Sequence, residues 1–377
     1  MILLKIGTLN IPKNRWLDAL EKFEKIYVFC SDAEEEIKNE NVIYLKINLK
    51  KFLNRACLFF IRRFNDKSWL RAVLRFMVFF LKMINLKLIK KISSLCVDYI
   101  HSSYNDFDES NLLTLLLPHK LKITRAQKET RVTENNLEYL CLKRCDRIIL
   151  NDIECKYFFE NKYGCNFFND KKVLLNYDED VRYSKLESMI KLNHKLSDID
   201  HKIHAVILAG RVLSDKNDKR SGGRLYYIDV IKGLLEAGFV VHLHTKNILP
   251  YKDYNPYLEL TEENSDFIIE KPLDFEVNAV ESYGILSRYD IGILHAYIDG
   301  HAVSIFDKVN LPNRYFEYML AHVCPIVPRG KTIVTEKVFS ENKTGLIYDN
   351  LSDINLNSIK DIRYINTFFK DYISSIY

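Results

Sequence analysis

The chain has 377 residues, 47% apolar and 28% charged, and its 55 Lys and Arg against 50 Asp and Glu leave a formal charge of +5. That is too long for one core and short for three, so two α/β domains are expected, and so small an excess of positive charge does not imply nucleic acid as a partner. No run reaches the ~18 apolar residues needed to cross a bilayer, and the first residues read as a strand broken by Lys5 and Gly7, not as a cleavable leader.

β-rich runs at Ile2–Ile6, Lys25–Cys30 and Val42–Ile47 open the chain, with a helical stretch at Trp16–Phe23 between the first two. Strands are expected at Val97–His101, Leu121–Thr124, Arg147–Leu150 and Lys172–Leu175, and helices at Asn135–Cys145 and Tyr157–Lys162. Strands interleaved with helices imply a parallel, Rossmann-like sheet. A polar stretch around residues 178–202 reads as a linker with one helix at Tyr183–Leu192. A buried run beginning at Ala205 then ends in the turn Gly210-Arg211. The polar loop Ser214–Gly223, a helix at Leu225–Ala237 closed by Gly238, and the strand Phe239–His244 complete a βαβ unit. A strand at Phe267–Glu270, a helix at Val277–Arg288 and a strand at Ile291–His295 follow. The helix Asn313–His322, the strands Pro325–Val327 and Gly345–Tyr348, and a helical tail end the chain. The expected division is a first Rossmann-like domain over 1–180, a linker over 181–202, a second such domain over 203–352 and a tail over 353–377.

Ten of the twelve glycines lie between Gly210 and Gly345, and glycines mark tight turns and close backbone approach, so the second half is the expected ligand-binding half. The eight cysteines sit in apolar strand and helix patterns without the CxxC pairs of a zinc site, and read as buried, reduced thiols of a cytoplasmic protein. Charge is concentrated elsewhere: residues 51–93 carry eleven Lys and Arg against the single acid Asp66. Within that segment, residues 69–91 mix long apolar side chains with spaced cations. The pattern suits either a helix lying in a membrane interface or a domain helix with a basic edge.

The segment Asn310–Val327, NLPNRYFEYMLAHVCPIV, is the most informative. Pro312 sets a helix start, Phe316, Met319, Leu320 and Val323 form a core stripe, and Arg314, Glu317, Tyr318 and Ala321 take the other side. Spacing alone leaves an ordinary i,i+3 ion pair between Arg314 and Glu317 open beside a ligand-binding use.

This segment resembles the donor-binding helix of GT-B glycosyltransferases, P-x-K/R-x-x-E-Y-x-x-x-G-x-x-P-I-V, through Pro312, Arg314, Glu317, Tyr318, Pro325, Ile326 and Val327. Gly210-Arg211, Ser287-Arg288-Tyr289-Asp290 and Asn342-Lys-Thr-Gly345 are similar to further pieces of that donor domain. Cys145-Asp-Arg-Ile-Ile-Leu and Val173-Leu-Leu-Asn176-Tyr-Asp178 are similar to pieces of the first domain, in the order of the retaining GT4-like group.

The resemblance implies two Rossmann-like domains facing a cleft, and transfer of a sugar from a nucleoside diphosphate to a glycan or lipid-linked glycan acceptor in surface-polysaccharide or glycoconjugate synthesis. The nucleotide sugar is then a co-substrate, with no further cofactor and no metal. Glu317 would accept hydrogen bonds from ribose or sugar hydroxyls, and Arg211 with a lysine or arginine of Lys216, Lys219 and Arg220 would meet the diphosphate. The segment holding Lys271 and Leu273 would face the base, and Arg314 would join the donor site. The protein would be cytoplasmic, with a peripheral contact at the inner membrane face through 69–91.

Three departures stand out. Val309 occupies the first position of the family's E-x7-E pair, leaving Asp299 or Asp307 as substitutes; a glycine is replaced near His322-Val323; and no first-domain histidine is evident, with His101 and Arg125 as the catalytic candidates. A nucleotide-sugar epimerase of the same fold and a catalytically degenerate GT-B binding subunit are the rival readings.

Overall fold

A computed structural model describes residues 1–6, 23–30, 40–46, 68–103, 108–126, 136–150, 152–175, 188–216, 225–249, 255–275, 277–295 and 308–364. They divide between two compact units, Met1–Val181 and Arg182–Lys370. Residues 16–22 of the expected helix at Trp16–Phe23, residues 183–187 of that at Tyr183–Leu192, and the tail beyond residue 364 lie outside the described residues, and residues 190–192 are not helical.

In the first unit the described elements run β1 Ile2–Ile6, β2 Lys25–Cys30, β3 Val42–Lys46, α1 Ser68–Ile84, α2 Leu86–Ser94, β4 Tyr99–Ser103 and α3 Asp108–Leu116. They continue with β5 Thr124–Ala126, α4 Asn136–Arg144, β6 Arg147–Leu150, α5 Ile153–Tyr163 and β7 Lys172–Leu175. The seven strands form one parallel sheet, ordered β3-β2-β1-β4-β5-β6-β7. Leu3, Leu4, Val28, Ile148 and Leu150 are fully buried in it, as near-continuous apolar runs require when both sheet faces are covered. α5 begins where Asp152 caps it, its side chain accepting from the Glu154 amide at 3.1 Å.

The second unit runs α6 Ser197–Asp200, β8 His204–Ala209, β9 Val212–Leu213, α7 Ile228–Glu236, β10 Val240–Thr245, β11 Ile248–Leu249, α8 Pro256–Glu263 and β12 Phe267–Glu270. After these come α9 Ala279–Leu286, β13 Ile291–Ile293, α10 Asn313–Leu320, β14 Cys324–Pro328, α11 Val334–Asn342, β15 Leu346–Tyr348 and α12 Leu356–Lys360. Its parallel sheet is ordered β12-β10-β8-β13-β14-β15, and β9 with β11 makes a small parallel pair. The winding therefore goes outward from β8 in one direction and restarts at β13 in the other, which leaves a topological switch point between their carboxyl ends.

One face of this sheet (Ala205, Ile207, Val241, Leu243, Ile291 and Ile293) joins Ile228, Ile231 and Leu234 of α7 and Tyr257 and Leu260 of α8 in an apolar core. The other face is partly polar. His204, His242, His244 and Tyr289 are all buried there, and Gly292 lies directly beneath the Tyr318 ring of α10.

Two expectations need correction. Tyr318 and Ala321, read as lying on the side of α10 away from the core, are both 0% exposed, because α10 is packed all round except at Asn313 and near Arg314 and Glu317. The cysteines are not uniformly buried: Cys96 and Cys165 are exposed, each two residues past a helix end, while Cys30, Cys141, Cys145, Cys155 and Cys324 are buried free thiols.

Candidate functional site

Four segments of the second unit converge at the switch point. The end of β8 supplies Leu208, Ala209 and Gly210, and the end of β10 supplies His244 and Lys246. The turn after β12 supplies Pro272 to Phe275, and the first turns of α10 supply Asn313, Arg314 and Glu317. Together they line a cavity of ≈ 300 Å³. Ligand sites of open α/β sheets form at the carboxyl ends of strands where the winding reverses, so the location follows from the topology.

Gly210 forms one wall. Its φ is not in the left-handed region, and a Cβ added there would meet nothing within 4 Å, so neither turn geometry nor packing demands the glycine. What it leaves is bare backbone facing open space.

α10 forms the opposite wall. Pro312, extended at φ −64° and ψ 145°, is its N-cap and launches the helix. Arg314 Nη1 donates to the Tyr227 hydroxyl at 2.8 Å and to the Leu294 carbonyl at 3.3 Å, tying α10 to the start of α7 and the end of β13. Burial opposes the Arg314 charge, but Tyr227, Tyr318 and Glu317 outweigh it and push its pKa up, so it remains a fixed cation beside the cavity. Glu317, one turn on, is half-buried in the same wall.

The helix ends in a Schellman motif: the Val323 amide donates to the Tyr318 carbonyl at 2.8 Å and the His322 amide to Met319 at 3.2 Å. His322 takes φ 54°, the left-handed conformation usually given to glycine. Its ring stacks on Tyr364 at 4.6 Å and 5°, and its carbonyl accepts from Lys195 Nζ at 2.7 Å. The replaced glycine thus keeps its backbone role while the side chain gains a partner.

His244 forms the floor. Its Nδ1 lies 2.5 Å from the Lys271 carbonyl, which can only accept, so Nδ1 carries the proton and Nε2 accepts from the Tyr289 hydroxyl at 2.9 Å. Burial lowers its pKa, consistent with this neutral ring. Beneath it, His204 Nδ1 and His242 Nε2 are 2.9 Å apart. The pair is flanked by Asp200, 3.1 Å from His204 Nε2, and by Glu270, 3.0 Å from His242 Nδ1. His242 is pushed down to about 4, first by burial, with the nearby His204 charge adding and Glu270 opposing.

Of the residues singled out in the sequence, Gly210, Leu273, Arg314 and Glu317 meet at this cavity. Arg211 is exposed and adjoins Gly210, while Lys271 is exposed and flanks Pro272. Lys216 points elsewhere, its ammonium held by Asp229 at 2.9 Å on the surface of α7. Lys219, Arg220, Asp299 and Asp307 lie outside the described residues. Val309 is 4% exposed, packed in the interior ahead of α10.

In the first unit, Arg125 is 0% exposed and donates to Asn111 Oδ1 at 2.7 Å, a cation enclosed by its own core. The backbone of His101 lies in β4, paired with Thr124 of β5, and its side chain lies outside the described residues. Sequence reasoning missed His244, Lys246, Asp274 and Asn313. Asp274 had a local signal: its Oδ1 accepts from the Val277 amide at 3.1 Å, the Asx pattern of a turn ahead of a helix.

No protein-family model matches the chain, and no curated protein sequence matches it. Solved structures do. UDP-N-acetylglucosamine 2-epimerase from Neisseria meningitidis, bound to UDP-N-acetylglucosamine, aligns over 100% of this chain and 99% of its own, with 12% identity and a TM-score of 0.51. A putative UDP-N-acetylglucosamine 2-epimerase from Listeria monocytogenes aligns over 99% and 94%, with 12% identity and a TM-score of 0.49. Alr3699/HepE from Anabaena, in complex with UDP, aligns over 100% and 94%, with 9% identity and a TM-score of 0.49. Glycosyltransferases and UDP-N-acetylglucosamine epimerases are both among the matching structures. The likeness to the Neisseria enzyme establishes the fold, two Rossmann-like units of the GT-B type, as the sequence motifs implied.

Proposed function

We propose that the second unit binds a nucleoside diphosphate sugar in the switch-point cavity and that the chain transfers the sugar to a glycan or lipid-linked glycan. The observation that carries this reading is the pairing of a bare-backbone wall at Gly210 with the Arg314–Glu317 turn of α10 across one cavity. A diphosphate can lie against the Gly210 backbone, where no side chain holds it off. The cations of Arg211 and Lys246 and the first amides of α10 neutralise it there. Glu317 accepts hydrogen bonds from ribose or sugar hydroxyls. Arg314 positions that carboxylate through its bonds to Tyr227 and Leu294. The Lys271–Leu273 turn meets the base.

In the reaction the bond from the anomeric carbon to the β-phosphate breaks, and the acceptor hydroxyl bonds to the same carbon with retention. The acceptor proton leaves with the phosphate. Charge developing on the departing diphosphate is stabilised by groups already in place, so this reading requires neither metal nor further cofactor. The UDP-N-acetylglucosamine bound to the Neisseria enzyme makes a uridine diphosphate sugar the first donor to try.

An epimerase of the same fold would use the same donor cavity, and the likeness to the Neisseria epimerase makes it the second reading; the buried Val309 in place of a second glutamate favours instead a catalytically degenerate binding subunit. Incubation with donor sugars, with and without acceptor, separates transferase from epimerase. A transferase forms product only with acceptor and at most hydrolyses the donor slowly, whereas conversion of the donor sugar without acceptor would overturn the transferase reading.

A further inference from the structure

We propose that α1 and α2 of the first unit dock the protein on an anionic lipid bilayer. α1 has two apolar faces. One, with Val78 and Leu81, is buried and continues through Asn85 into Ile89 and Ile92 of α2. The other carries Val73, Phe76, Phe79, Phe80, Met83 and Ile84, which are 38–69% exposed. Residues 73, 76, 80, 83 and 84 follow helical spacing, so the exposed side chains make one stripe instead of scattered surface positions.

The charges define the occupant. No acidic residue occurs between Ser68 and Ser94, while Arg75, Lys87, Lys90 and Lys91 are exposed and Lys82 is half-buried. Arg75 and Lys82, seven residues apart, flank the exposed stripe on one side, and the α2 lysines continue the basic surface past Asn85. An apolar stripe whose own helices carry cations and no acid is complementary to a surface that offers hydrocarbon at depth and negative charge above it, which is an anionic membrane interface. A second copy of the chain would set these cations against their own kind across a two-fold axis. α1 has 17 residues, and among the described residues no helix is long and apolar enough to cross a membrane, so docking lies in the plane of the interface.

The test is flotation of the full chain with vesicles of phosphatidylcholine alone or mixed with phosphatidylglycerol. The wild type should float with the mixed vesicles, less with the neutral ones, and less as salt is raised. Phe76→Ser with Phe80→Ser, both exposed, should leave the thermal unfolding midpoint unchanged and lower the bound fraction at least ~10-fold. Lys87→Glu with Lys90→Glu should remove the preference for phosphatidylglycerol. Absence of flotation by the wild type would overturn the proposal, as would equal flotation by the Phe variants. A dimer that the Phe variants dissociate would instead assign the face to a second copy. Nucleotide binding, measured in solution on the same variants, reports on the second unit separately, so failure of one proposal does not carry the other with it.

Discussion

Gly292 fixes where α10 sits, and through it the geometry of the candidate site. It lies in β13, in register with Val206 of β8 and Pro325 of β14, and a Cβ added to it would fall 2.6 Å from Tyr318 Cδ2 and Cε2 and 2.7 Å from Cζ. Ordinary contact begins at 3.4 Å, so in Gly292→Ala the ring must retreat by about 0.8 Å. It cannot slide sideways at no cost. The Tyr318 hydroxyl donates to the Ile293 carbonyl at 3.1 Å and lies 3.4 Å from that of Val206, and the ring is wholly buried. The helix must therefore move, or the bond must break. Overpacking costs about 1–3 kcal/mol and a lost hydrogen bond about 1 kcal/mol more, for an expected loss of about 2–4 kcal/mol. Displacing Arg314 and Glu317 by a large fraction of an ångström should also weaken donor use by up to ~100-fold. Urea unfolding followed by circular dichroism, together with calorimetric titration of UDP, measures both. Tyr318→Leu in the Gly292→Ala background should recover part of the loss, with a coupling above ~1 kcal/mol. A Gly292→Ala protein within ~0.5 kcal/mol of wild type, with unchanged nucleotide affinity, would refute the reasoning.

Two further outcomes follow from the same unit. The folded-state pKa of His242 is depressed to about 4, so the unfolded chain takes up a proton near 6.5 that the folded chain refuses until about 4. The stability this site contributes is therefore complete above ~6.5 and is lost as pH falls from there to ~4, by about 3 kcal/mol. Urea midpoints measured across that window should fall less steeply in His242→Gln; an identical slope would show that the ring does not titrate this way. His322 holds a left-handed backbone and a stack on Tyr364. His322→Ala should cost about 1 kcal/mol through loss of the stack, while His322→Gly should recover most of that by relaxing the backbone. Equal midpoints for the Ala and Gly variants would contradict the strain at that position.

Continuous apolar runs were the easiest elements to read, at sheet edges as well as centres: β1, β2, β6, β7 and β12 begin and end at the residues expected. β4 and β5 lie two or three residues further along than expected. There the pairing of Ser102 with Arg125 and Ser103 with Ala126, invisible to hydrophobicity, sets the boundary. α3, α8 and α11 were not anticipated. α8 did carry a start signal: Asn255 ahead of Pro256, its side chain accepting from the Tyr257 amide at 3.2 Å. At the site, Gly210, Arg314 and Glu317 were legible as pieces of a familiar pattern. His244, Lys246 and Asp274 were not, because their proximity is created by the reversal of strand order and no spacing along the chain records it.

The central claim is that the cavity between Gly210 and Glu317 is a nucleotide-sugar site, and calorimetric titration of UDP, GDP and ADP into the full chain tests it most directly. One nucleotide should bind saturably below ~1 mM, and Glu317→Ala should weaken it at least ~10-fold. Gly210→Ala, which meets no atom within 4 Å, should keep the wild-type unfolding midpoint and lose affinity because its methyl occupies the space of the ligand. Binding of none of the three, or binding that both variants leave unchanged, would contradict the account.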